Sequence, residues 1–246
     1  MNDQSIPPRA EAPLIDIDTM SERFRDYGMN TLNPIVTMMM SGVFATAALA
    51  FADIVRTPDL RWVRLSIWLW HAVFASTTII AATNNNLLYV HPRPALIVYQ
   101  LVFAFVLSAA FACLPLNTGG ADGWLVAQAS PLVLVGLFAG WILPRFAQWM
   151  NPNHYPDELA PHLSERFAYY SSARRASVVL GTIVSGLFAA VILTHGKSVI
   201  ANAGVVAINL LLCCTMVVVS RSLAAINQRL IETVERIRCE RRTLPA

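Results

Sequence analysis

Arg64, Trp68, His71, Ala75, Thr78, Ala82 and Asn85 recur at alternating four- and three-residue steps. On a helix such residues share one face. That face would carry a guanidinium, an imidazole, a hydroxyl and an amide, separated by small residues. The flanking sequence is apolar enough for a membrane, and lipid is a poor environment for these groups, so they should face other helices or a hydrated space. His71 falls near the middle of the run. A neutral imidazole there can carry a proton, gate a path or hold a ligand. It can equally form a structural hydrogen bond across a helix interface, and that is the more ordinary role. A second stripe joins Asn202, Asn209, Cys213, Met216 and Ser220. Interhelical amide bonds of the kind Asn209 would make contribute only about 0.6–2 kcal/mol, but they fix register. Arg64, His71, Thr78, Asn85, Asn202 and Asn209 are therefore the candidates for lining a pore or cavity.

Other polar residues have plainer readings. Asp53 is expected to pair with Arg56 or Arg64, and Gln128 to bond backbone groups freed by Pro131. Ser41, Ala45, Ala48 and Ala52 form a small-residue stripe, and Gly136 and Gly140 a GxxxG spacing; both suit close helix contact. The chain has no paired intramembrane carboxylates, no Walker loop, no His-Glu-x-x-His and no nucleophile–base pair. The expectation is a protein that is not an enzyme, with no metal and no cofactor. None of the four cysteines belongs to a Cys-x-x-Cys pair, so neither a zinc site nor a disulfide framework is indicated.

These groups would be positioned by an all-α scaffold. Of the 246 residues, 56% are hydrophobic and 13% charged, with a mean hydropathy of +0.52. A soluble domain carries about twice that charged fraction. Six runs approach the roughly 20 residues needed to span a bilayer: Asn33–Val55, Leu65–Thr83, Ala95–Leu116, Gly123–Leu143, Ala176–Thr194 and Val199–Ser220. In hydrocarbon every backbone amide needs an internal partner, so each run should be a helix. The organisation expected is a polar N-terminal segment (1–32), a six-helix membrane domain (33–220) with an internal loop (144–175), and a C-terminal helix (221–246). The first run reads as an uncleaved anchor.

Charge sets the orientation. With both termini cytoplasmic, 14 of the 18 Lys and Arg residues fall on the inner side, which satisfies the positive-inside rule. The expectation is a multi-pass protein of a cell (inner) membrane. Within the N-terminal segment, "SERFRDYGMN" reads as a short interfacial helix, with Phe24 and Tyr27 toward lipid and Arg23 and Arg25 at headgroups. The Asn84–Asn86 triplet reads as the inner exit of the second span, with Asn85 at the mouth of whatever its face encloses. "HLSERFAYYSSARRA" reads as helix entering the fifth span.

The C-terminal segment changes character. Leu223, Ile226, Leu230 and Ile237 follow three–four spacing, thickened by Ile231 and Val234. This apolar stripe on a charged helix needs a partner: a second copy of the chain, the 156–175 loop or the inner membrane surface. It reads as an oligomer or partner interface. Two functions compete. One is a channel-like or transporter-like protein that passes or gates an ion or small solute. The other is a non-conducting membrane subunit, sensor or effector acting through its cytoplasmic helix and a protein partner. The expected contacts are lipid bilayer, a homo-oligomer and a cytoplasmic or membrane partner, with no nucleic acid.

Overall fold

Four helix starts are written into the sequence, two by proline and two by side-chain caps. Proline is favoured at a first helical position because its φ is preset and its missing N–H is not needed there. Pro34 opens α2 (Pro34–Arg56) and Pro94 opens α4 (Pro94–Leu116). Asp16 caps α1 (Ile17–Asp26), accepting the Thr19 amide on Oδ1 at 2.7 Å. Ser198 caps α7 (Val199–Thr243), its hydroxyl accepting the Ala201 amide at 3.1 Å. Such caps satisfy amides that the first turn leaves without partners. The remaining helices are α3 (Arg61–Asn86), α5 (Val133–Arg145) and α6 (Ala160–His195), the last preceded by a 3-10 turn at Asp157–Leu159.

The computed structural model describes residues 16–26, 34–57, 60–86, 94–116, 130–131, 133–145, 154–195 and 198–243. The described residues are all-helical, without strands. Among the described residues, three helices are long and apolar enough to cross a membrane: Arg61–Ala81, Pro94–Leu114 and the long helix Val199–Thr243. By length and composition, the chain is compatible with a membrane protein. Helix α2 has 23 residues, and α5 is shorter, holding a π-helical turn at Phe138–Ile142.

Helix α2 buries Met40, Val43, Ala47, Ala50 and Ile54, a three–four pattern that makes one face. It packs chiefly on α4 and also on α3. Helix α3 packs along α7, α2 and α4. Its aromatic side chains form much of the join, with Phe74 against Phe103 of α4 at 5.8 Å between ring centroids. The small-residue faces point away from these contacts. Ser41, Ala45 and Ala48 are exposed, and no described atom lies within 4 Å of where a Cβ would sit on Gly136 or Gly140.

Two helices continue past the limits that hydropathy suggests. Helix α6 runs without a break from Ala160 to His195, through the expected loop–span junction. Helix α7 has 45 residues and does not break at Arg221, giving a rod of about 68 Å at 1.5 Å per residue. Its C-terminal part is gripped by α1 and by residues 155–170. The bonds between α6 and α7 run antiparallel: Tyr169 to Val219, Arg166 to Asn227, Glu165 to Arg229 and His162 to Thr233. The core of this end includes Ile17, Met20, Tyr155, Leu159, Leu163, Leu230, Val234 and Ile237. Asn84–Asn86 lie at the C-terminal end of α3 as it is described.

Candidate functional site

From Arg64 to Ala75 the polar face of α3 is largely buried. His71 and Ala75 have no exposed surface, and Arg64 has 1%. The imidazole Nδ1 lies 2.7 Å from the carbonyl oxygen of Ile67, one turn earlier. A carbonyl only accepts, so Nδ1 carries the proton in this contact. The ring meets Phe111 of α4 edge-on at 5.7 Å. Trp68 of the same face donates its indole N–H to the Ala47 carbonyl of α2 at 2.8 Å. The alanine admits that close approach because it puts no bulk between the two helices.

Neighbouring hydroxyls on α3 also turn inward on their own helix. Ser66 donates to Val63 O, Ser76 to Ala72 O and Thr77 to Val73 O, at 2.7–2.9 Å. Such back-bonding satisfies a hydroxyl without water or a neighbouring helix. Polarity in the sequence of α3 therefore does not imply hydration of α3.

The bond from Asn209 of the second stripe goes to a residue outside the first. Asn209 of α7 is fully buried and donates its Nδ2 to the Ser66 hydroxyl at 3.3 Å. Ser66 and His71 are five residues apart, so they point to faces about 140° apart at 100° per residue. The first stripe thus meets α2 and α4 through Trp68 and His71, while Asn209 is met by a serine outside both stripes. Thr78 and Asn202 are half-buried. Asn85 is helical, and its side chain lies outside the described residues, as do Phe24, Tyr27 and Gln128. Asp53 is exposed.

The buried atoms without a hydrogen-bond partner among the described residues include Asn209 Oδ1 and Gln100 Nε2. Gln100, on α4, is 6% exposed and was not singled out by any spacing pattern. A buried polar atom without a partner is uncommon and is a place for water or a ligand.

A second concentration of polar groups lies where α1, residues 154–170 and the C-terminal part of α7 meet. Arg238 is 6% exposed and donates Nε to Asp18 at 3.1 Å and Nη1 to Ser21 Oγ at 2.6 Å. Ser21, itself fully buried, donates to Glu235 Oε1 at 2.5 Å. Arg166, 2% exposed, donates to Asn227 Oδ1 and lies over the Tyr170 ring at 5.7 Å. Two exposed ion pairs, Arg229–Glu165 at 2.8 Å and Arg241–Glu158 at 3.1 Å, rim the cluster. The Thr19 amide bond holds the Asp16 carboxyl below the usual carboxylate range.

Leu223, Ile226, Leu230 and Ile237 are buried within this single chain, Leu230 to 1% exposure. Of the partners the sequence allows, the 156–175 segment is one that the fold provides, joined by α1. These side chains are thus covered mainly within the chain itself. The polar members of the cluster escaped pattern reading because each is unremarkable alone. A signal was nevertheless present: Arg238 lies four residues beyond Val234 and eight beyond Leu230, a charge set on an apolar stripe. Among the described residues no group of three His, Cys, Asp or Glu is placed to hold a metal. Comparison with family models, curated proteins and solved structures finds no match to this chain.

Proposed function

We propose that the chain is a six-span membrane protein with both termini cytoplasmic, acting as a non-conducting sensor or effector. In this reading the membrane helices are coupled through α7 to a cytoplasmic cluster, which is the surface a protein partner reads. The observation that carries it is the complete burial of His71 and Ala75. His71, the titratable member of that face, is instead bonded to its own helix through Ile67 and packed on Phe111. The orientation is supported by charge: the segments gathered around the C-terminal part of α7 hold much of the arginine, as the positive-inside rule asks of a cytoplasmic end.

A channel-like or transporter-like role is the second reading. It is favoured by Asn209 Oδ1 and Gln100 Nε2, whose missing partners are what a transient water or ion site would leave in a closed state. Flux through purified protein in liposomes separates the two. Cation- and anion-sensitive dyes should report no leak above protein-free vesicles across pH 5–8. A saturable flux that His71→Ala alters would overturn the effector reading in favour of conduction.

A further inference from the structure

We propose that α1 is a reversible strap over the C-terminal part of α7, with Ser21 as its key. Helix α1 makes its main packing contact with α7, inserting Ile17, Met20 and Ser21. The Ser21 hydroxyl accepts from Arg238 Nη1 at 2.6 Å and donates to Glu235 Oε1 at 2.5 Å. Glu235 and Arg238 are three residues apart on one helix, a spacing at which opposite charges are neighbours. The docked hydroxyl therefore bridges two groups that can pair with each other.

That arrangement makes departure cheap on the α7 side. Removing one partner from a buried charge is normally strongly destabilising because the charge is left uncompensated. Here Glu235 can close on Arg238 when Ser21 withdraws. Asp18, the other α1 residue on Arg238, is 67% exposed and returns to water with little change. On the α1 side, a helix of ten residues is too short to persist in water by itself. Release is thus an order–disorder step, one of the common forms of a protein switch. It uncovers the stretch of α7 around Glu235 and Arg238. This inference holds whether or not the protein conducts.

Hydrogen exchange on the full chain in nanodiscs tests it. Amides of residues 17–26 should exchange together, about 100-fold or more faster than those of 228–238, as expected of a separate opening unit. Ser21→Ala should speed exchange in α1 about tenfold, the effect of one charge-assisted hydrogen bond, and leave 228–238 unchanged. Met20→Glu should abolish protection in α1 while 228–238 stays protected. Equal protection of the two stretches would overturn the proposal. So would loss of protection in both stretches together in either variant, or an α1 that does not respond to Ser21→Ala.

Discussion

At the scale of residues, the structure separates polar groups that are satisfied from those that are not, and the difference predicts unequal effects of substitution. Asn209 has one bond, to Ser66, and one orphaned oxygen. Asn209→Leu removes both the bond and the orphan, so thermal unfolding in detergent should shift by less than about 1 kcal/mol. Ser66→Ala leaves the whole amide without a partner and should cost about 1–3 kcal/mol. The double variant should recover most of that loss. A Ser66→Ala variant as stable as wild type would show that the amide finds another partner. In the cluster, Arg238→Ala takes from the buried Ser21 its charged donor and should cost about 1–3 kcal/mol, whereas Asp18→Ala removes a largely exposed partner and should cost under about 1 kcal/mol. Asp16 adds a pH dependence. Its folded-state pKa lies below the ordinary 3.8, so its cap stabilises α1 fully above that value and is lost as pH falls through the lowered one. Asp16→Asn, which keeps a capping oxygen, should flatten that acid limb in circular dichroism.

At the scale of elements, all-helical structure was legible, and which faces it would cover was not. Apolar runs, Pro34, Pro94 and Ser198 mark where helices lie because these signals are local. The face of α3 was legible as a polar stripe, but its surroundings depend on which helices lie beside it. A sequence pattern cannot distinguish a wet face from one closed by Phe111 and Ala47. The α7 stripe shows the same limit: its spacing announced a need for cover, while the cover comes from segments more than 60 residues earlier. The prediction at this scale compares adjacent positions. Leu230→Glu puts a carboxylate into a site with 1% exposure, while Ile231, next to it, is 38% exposed. The first should lower stability by more than about 3 kcal/mol and loosen residues 155–170 in hydrogen exchange. Ile231→Glu should stay within about 0.5 kcal/mol of wild type. Equal tolerance of both would contradict the packing of α6 and α1 on α7.

At the scale of the whole molecule, packed helices and an ion-paired cluster are joined by one continuous rod, α7. Its orientation predicts that reporter fusions at Ala246 and within residues 151–157 read cytoplasmic and a fusion at Gly119 reads external. A periplasmic signal at Ala246 would reverse the assignment of the cluster. The central claim is that the polar face of α3 is dry packing, which moves function to the α7 cluster. The most direct test is thiol labelling. In a variant lacking Cys113, Cys213 and Cys214, the exposed Cys239 serves as an internal reference. A cysteine replacing Ala75 should stay unmodified by a small membrane-impermeant reagent supplied to both faces of nanodisc-embedded protein, while Cys239 reacts. Labelling of the Ala75→Cys variant at a rate comparable to Cys239 would place water beside His71 and contradict the account.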